Sequence, residues 1–308
     1  MLEGIKCLVI GGGGFIGTHL CQALTKYGAN VSGFGRRQSY PEALQHIAWT
    51  YGSFSDREAL EHAIEENEII FHLLSSRVVE SSNKNPISDL MTDVSNSVYL
   101  FDLCRKFKTR KIIFVSSGGT VYGIQSQIRI PETAQTNPIS AYGINKLAIE
   151  KYLNLYHYLH GLNYNIVRVA NPYGPFQDPA RKQGVVAALI HKMINNQPIE
   201  IWGNGEVVRD YIYVDDVIDA LIAVLNYDGP HRVFNVGSGV GRSIREVIED
   251  IQLVTGKSTV QKIYQPARIT DVPTNVLDIS LIHQEIGWIP HTPWMKGLQV
   301  TADWLGAQ

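Results

Sequence analysis

What this chain lacks narrows its class before any motif is considered. Its 308 residues include three cysteines, Cys7, Cys21 and Cys104, with no Cys-x-x-Cys pair and no His/Cys grouping at metal-ligand spacing. That excludes a disulfide scaffold and a zinc ribbon, and it suits reduced thiols inside a core. Charged residues make up only 18% and the formal net charge is −2, so a basic face for nucleic acid is not expected. No apolar run approaches the ~20 residues needed to span a bilayer. The N-terminus carries Glu3 and no basic segment followed by an apolar one, so no secretory leader is expected. Repeats, low-complexity tracts and obvious linkers are missing too. These absences point to a cytoplasmic protein without membrane insertion. Its 44% of apolar residues is enough to build a sizeable core.

Through the first two-thirds, short apolar runs alternate with helical patterns. Strands are expected at 6–10, 30–34, 47–51, 68–73, 111–116 and 165–169, and helices at 17–27, 57–65, 93–106 and 142–159. Strands separated by helices of ten or so residues give an α/β chain with a Rossmann-type doubly wound parallel sheet. After Asn171-Pro172-Tyr173-Gly174-Pro175 the alternation becomes irregular. A smaller C-terminal substrate-binding lobe is expected there, over the carboxyl ends of the strands. The dinucleotide-binding unit would comprise residues 1–170 and about 213–240, with a strand at 233–236 rejoining the sheet. The lobe would comprise about 171–212 and 241–308.

The first strand runs into Gly11-Gly12-Gly13-Gly14-Phe15-Ile16-Gly17, and a helical pattern follows. Glycines at this point permit a tight turn and close approach of backbone to a pyrophosphate, which then meets the free N–H groups of the helix. The end of the second strand selects the dinucleotide. A carboxylate there would hydrogen-bond the ribose hydroxyls and mark NAD. This chain has Gly33-Phe34-Gly35-Arg36-Arg37 instead. Two arginines suit the 2′-phosphate of NADP, with Gly35 leaving room, so NADP is favoured over NAD. Solvated loop arginines are the plainer alternative.

Tyr142-Gly143-Ile144-Asn145-Lys146 places a phenol and an ammonium four residues apart on one helix face. A neighbouring ammonium and the positive nicotinamide ring both favour the phenolate, so Tyr142 is expected to serve as an acid/base near neutrality, with Lys146 also reaching a ribose. About 25 residues earlier an apolar strand ends in hydroxyls, at Ser116-Ser117.

These motifs occur in a fixed order, together with Ser116-Ser117-Gly118-Gly119-Thr120-Val121-Tyr122-Gly123, Arg168-x-x-Asn171-Pro172-Tyr173-Gly174-Pro175, Gly203-Asn204-Gly205-x-x-x-Arg209-Asp210-Tyr211, Asn235-Val236-Gly237 and Arg268-x-x-Asp271. Over essentially its whole length the chain resembles the extended short-chain dehydrogenases/reductases of the UDP-glucose 4-epimerase group. The resemblance implies that Tyr142 is the acid/base and Lys146 its activator and ribose anchor. It implies a tightly bound nicotinamide cofactor lined by Gly11, Gly14, Phe15, Ile16, Gly17, Phe54, Leu73 and Ser75. Asn171 would face the sugar nucleotide, Gly184 and Val185 would line its nucleotide, and Arg209 and Arg268 would grip its diphosphate. Arg77 would approach the phosphates. A position seven residues after the phosphate-binding Arg, Asn275 in this chain, would close the sugar pocket. Being smaller than Tyr, it would admit an acetamido or carboxylate group. A homodimer built on the helices at 93–106 and 142–159 is also implied.

The departures matter as much. The family's catalytic hydroxyl falls on Gly118, so that role is expected of Thr120 or Ser117, or of water. The acidic residue that touches the adenine is Ser53, and the Asn on the helix after the fourth strand is Asp93. Epimerisation at C4 of a UDP-hexose, UDP-N-acetylhexosamine or UDP-hexuronic acid is the leading expectation. A 4,6-dehydratase would carry Thr-Asp-Glu where this chain has Gly118-Gly119-Thr120. An NADPH-dependent 4-keto-sugar reductase is the alternative kept open by Arg36 and Arg37. A non-catalytic cofactor sensor would have no use for the Tyr142/Lys146 spacing.

Overall fold

The computed structural model describes residues 2–75, 79–180, 184–268 and 271–307. Six strands alternate with helices through the first half: β1 (Lys6–Ile10), α1 (Phe15–Lys26), β2 (Asn30–Gly35), β3 (Ala48–Tyr51), α2 (Arg57–Glu65) and β4 (Ile69–His72). Then come α3 (Val79–Lys84), α4 (Pro86–Asp89), a π-helical turn (Leu90–Val94), α5 (Ser95–Lys106), β5 (Lys111–Ser117), α6 (Ala141–His160) and β6 (Tyr164–Val169). The second half holds β7 (Asn171–Tyr173), α7 (Val185–Ile194), β8 (Ile199–Trp202), β9 (Val208–Tyr213), α8 (Val214–Leu225), β10 (Val233–Val236), β11 (Gly241–Ser243), α9 (Ile244–Thr255), β12 (Lys262–Gln265), β13 (Thr274–Asn275), α10 (Ser280–Ile286) and α11 (Trp294–Gly306).

The main sheet has seven strands in the order β10-β6-β5-β4-β1-β2-β3, every pair parallel. Its central strands are apolar on both faces because helices cover both. All four residues of β4 are buried, as are six of the seven in β5. Strand order reverses between β1 and β4, so the loops that follow these two strands diverge and open a crevice at their carboxyl ends. The expected return of residues 233–236 occurs as β10, which pairs with β6.

Two differences from the sequence reading bear on the site. Residues 93 and 94 do not begin an α-helix; they close the π-helical turn that joins α4 to α5. The second half also contains strand pairings that its short, irregular pattern did not announce. β9 pairs with β7, β11 and β13, and β8 pairs with β12. The two- and three-residue strands among these carry no readable period and exist only through their partners.

Candidate active site

The cradle at the end of β1 is built from glycine for steric reasons. Gly11 adopts φ 86°, in the left-handed region that side chains disfavour. A Cβ on Gly13 would lie 2.2 Å from the carbonyl oxygen of Arg37, and one on Gly17 would lie 2.4 Å from that of Gly11. Helix α1 therefore packs its first turn directly on the loop. Gly14 is its N-cap and offers no side chain, so the positive end of α1, at Phe15 and Ile16, is left to an anion. The segment after β4 closes the crevice: Leu73 N–H bonds Ile10 O at 3.0 Å, and Leu74 Cα is 3.2 Å from the place of a Gly11 Cβ. Phe54 is buried with its ring 5.2 Å from that of His72. This cradle fits the pyrophosphate of a dinucleotide. Arg36 and Arg37 follow β2 and are exposed. A Cβ at Gly35 would rest in ordinary contact with the Trp49 indole, at 3.5 Å.

Tyr142 and Lys146 stand in the first turns of α6, whose N-cap Ser140 accepts the Gly143 N–H at 3.2 Å. Lys146 is buried, donates to the Val115 carbonyl at 2.9 Å, and lies 5.8 Å from the centroid of the Tyr142 ring. Gly143 lets α6 dock on the loop after β5, since a Cβ there would be 2.8 Å from Thr120 O.

That loop carries the two candidate hydroxyls. A Cβ on Gly118 would collide with Leu277 at 2.5 Å, so the missing side chain is a consequence of β13 and its sequel packing there. Thr120 Oγ1 is buried and has no partner among the described residues. Ser117 Oγ and the Asn171 amide instead converge on the space over Gly119, at 4.0 Å and 3.8–3.9 Å from the place of its Cβ. Asn171 is aimed by a bond from Nδ2 to Asp210 O (2.9 Å). Asn275 is 1% exposed; its Nδ2 donates to Gly118 O at 3.1 Å, while Oδ1 has no partner among the described residues. Its amide thus ties β13 to the loop, a role that the resemblance did not imply.

Arg209, on β9, is half-buried and donates to Val272 O at 2.5 Å; burial lowers its pKa. Arg268 is exposed and lies 4.0 Å over the Trp202 ring at the end of β8. Gly184, at φ 95°, caps the start of α7 against Gln177, and Val185 is exposed beside it. Arg77 lies outside the described residues. Among the described residues no cluster suited to a metal ion occurs, and no helix is long and apolar enough to cross a membrane.

Residues 7–237 match the model of the NAD dependent epimerase/dehydratase family. The chain belongs to that family. It is 34% identical to the UDP-glucose 4-epimerase of Thermotoga maritima solved with UDP-glucose, at a TM-score of 0.93 over 97% of this chain and 98% of that one. The UDP-glucose 4-epimerase of Thermus thermophilus, in complex with NAD, is 30% identical at a TM-score of 0.91 over 98% and 99%. The dTDP-4-dehydro-6-deoxyglucose reductase of Escherichia coli is 33% identical over 92% of each chain.

Within the family's scaffold, Tyr142 stands in dry and acidic surroundings. The half-buried phenol is densely surrounded, and that desolvation pushes it up to about 12; Asp93 and Asp89 add to the rise, and a hydrogen bond with Ser75 opposes it. Lys146 is lowered to about 8, mainly by burial, against Asp93, Glu150 and Asp89. In the protein alone, then, burial is the first cause that holds the Tyr142 phenol up, and the two carboxylates add to it. His72 is fully buried, bonded through Nε2 to Ser97 Oγ at 2.9 Å, and held well below its ordinary pKa by burial and by Lys146.

Sequence reasoning passed over Asp89, His72 and the ion pair between Glu150 and Arg168. The i, i+4 spacing of Asp89 and Asp93 is the signal that could have shown the first. Arg168 was visible only as part of a motif.

Proposed function

We propose that this family member inverts C4 of a nucleotide-linked sugar, with a nicotinamide cofactor retained through turnover. The observation that carries the reading is the convergence of Ser117 and Asn171 over Gly119, with Tyr142 and Lys146 in the first turns of the helix that docks on the same loop and no acidic residue in the loop 117–123. A dehydratase needs a further acid there. A nicotinamide held there would supply reversible hydride acceptance at C4.

Residues of this chain do the rest. The cradle of Gly11, Gly14 and Gly17, with the first turn of α1, holds the pyrophosphate, and Lys146 holds the nicotinamide ribose. Tyr142 removes the proton of the C4 hydroxyl and later returns one, and Ser117 hydrogen-bonds the same hydroxyl. Arg209 and Arg268 hold the diphosphate, with Gly184 and Val185 along the nucleotide. Because the diphosphate is the anchor, the sugar can present either face. Asn275 in place of a bulkier residue supports tolerance of an acetamido or carboxylate substituent, whose polar atoms its Oδ1 side would meet.

The finer assignments rest on the same reading. The adjacent exposed guanidiniums of Arg36 and Arg37 support NADP. Exposed Tyr152, Leu155 and Leu159 on α6 support a homodimer across α5 and α6. Three unpaired, buried cysteines suit the cytoplasm. Residues 1–170 with 213–240 form the cofactor unit, supported by the pairing of β10 with β6. The 4-keto-sugar reductase remains the second reading, favoured by the Escherichia coli relative.

The test is incubation of the purified protein with UDP-glucose, UDP-N-acetylglucosamine and UDP-glucuronate, without added cofactor. Interconversion with no net change in reduced cofactor is expected, and Tyr142→Phe should lower it by ~10²-fold. Stoichiometric consumption of NADPH with a 4-keto sugar, and no interconversion, overturns the epimerase in favour of the reductase.

A further inference from the structure

Beside the glycine cradle, aromatic rings from four separate segments come together. Phe15 and His19 project from α1, Tyr40 follows β2, Phe176 lies in the loop after β7, and Trp304 comes from α11. The Phe176 ring is in the middle. Its centroid lies 5.1 Å from that of His19, 4.9 Å from that of Tyr40 and 5.6 Å from that of Trp304. Tyr40 and Trp304 also meet each other edge to face at 5.9 Å, and Phe15 meets His19 in the same way.

The backbone of Phe176 is strained. It adopts φ 63°, in the left-handed region where a bulky side chain is a genuine outlier. Such a residue persists only where its surroundings hold it, and these outliers gather at functional sites. Here the chain is held on both sides. The Pro175 carbonyl, in the peptide just before Phe176, accepts from His19 Nε2 at 2.9 Å. Just after it, Gln177 is buried, donates through Nε2 to Pro172 O at 3.1 Å and packs on Gly184. Packing of the ring against three others offsets the strained backbone.

What the ring grips is a wall of the cradle. Ser39 N–H donates to Gly13 O at 3.0 Å, and a Cβ on Gly13 would strike the Arg37 carbonyl. Segment 37–39 thus lies directly on the 11–14 loop, and Tyr40 is the next residue. The Tyr40 ring touches both Phe176 and Trp304. Both belong to the second half of the chain, so this wall is gripped from outside the strands and helices that build it.

We propose that Phe176 is the pin of an aromatic clasp that retains the nicotinamide cofactor. By holding Tyr40 against Trp304 it keeps segment 37–40 seated on the glycine loop, and release of the dinucleotide requires the clasp to open. Phe176 acts through Tyr40, so it is a positioning residue. Helix α11, remote in sequence, thereby governs the residence time of a cofactor bound at the first helix. The clasp rests on the glycine cradle being the cofactor site.

The experiment measures dissociation of NADH and of NADPH from the whole protein. The signal is the loss of reduced-nicotinamide fluorescence when excess oxidised cofactor is added, alongside the Tm of each protein freed of cofactor. Phe176→Ala and Trp304→Ala should each speed dissociation by ~10-fold or more, with association changed less than about threefold. Because both act on one clasp, the double variant should be no faster than the faster single one. Phe176→Tyr and Trp304→Phe keep the rings and should keep slow release. Phe176→Gly separates strain from grip. It relieves the backbone, so its Tm should exceed that of Phe176→Ala, yet it should release cofactor as fast.

Unchanged dissociation in Phe176→Ala and Trp304→Ala overturns the clasp. So does a dissociation rate that recovers together with Tm in Phe176→Gly, since the ring would then serve stability alone. Effects that multiply in the double variant overturn it as well, because the two rings would act independently. Should Phe176→Ala not fold, Phe176→Gly and Trp304→Ala decide on the same grounds. A wild type that holds neither NADH nor NADPH sinks the cofactor reading of the cradle; one that holds either slowly, beside variants that hold it equally, sinks only the clasp.

Discussion

Replacing Arg168 with Met tests whether the floor of the site is held by one buried ion pair. The Arg168 guanidinium donates to both Glu150 oxygens, at 3.1 and 2.6 Å, and to the Tyr122 hydroxyl at 2.9 Å. Both side chains of the pair are almost wholly buried, at 5% and 3% exposure. Burial works against the charge of Arg168, yet Glu150 and Tyr122 hold its pKa above the ordinary arginine value.

Without Arg168, Glu150 keeps Ser116 Oγ at 2.5 Å but loses its counter-charge. An uncompensated buried charge of this kind costs about 3–5 kcal/mol. Adding Glu150→Met removes the orphan, and a well-packed apolar pair is often neutral or better. The double variant should therefore recover most of the loss, with a coupling energy of several kcal/mol. Urea midpoints and Tm values for the four proteins measure it. At roughly 2–4 °C per kcal/mol, Arg168→Met should lower Tm by at most about 20 °C. A single variant costing under ~1 kcal/mol, or a double one as weak as the sum, would refute the reasoning.

Gly17→Ala should push the 11–14 loop outward, because its Cβ would lie 2.4 Å from Gly11 O; nicotinamide affinity should fall by at least ~10-fold, or about 1.4 kcal/mol, in a fluorescence titration, and an unchanged Kd would show that the loop yields freely. Arg36→Ala with Arg37→Ala should weaken NADP(H) more than NAD(H), by roughly 1.5–3 kcal/mol for each lost charge-assisted bond. Equal losses for the two cofactors, by the same titration, would return both arginines to solvent. His72 stays neutral in the fold but gains a proton on unfolding below its reference pKa of about 6.5. Its share of stability is thus present above pH ~6.5 and falls by up to ~1.4 kcal/mol per unit below it. His72→Gln should flatten the acid limb of a stability–pH curve, and parallel curves for the two proteins would contradict this.

The alternation of apolar runs with helical spacing was enough to dictate the doubly wound sheet, since β4 and β5 must be covered on both faces. Local chemistry likewise dictated the cradle and the Tyr142/Lys146 pair, because residues 11–17 and 142–146 act within a single turn. Why residue 118 carries no side chain was not legible. It depends on Leu277, 159 positions further on, filling the space that a side chain would take. Nor was the charge state of Tyr142 legible from the spacing of Lys146 alone. Burial raises its pKa first, and Asp93 and Asp89 add to the rise, Asp93 from a π-helical turn that the helical period of the sequence conceals. Patterns within one element are written in sequence because short-range sterics set them. Burial and the pairing of charges between elements are not, because they depend on which segments the sheet brings together and how much water it excludes.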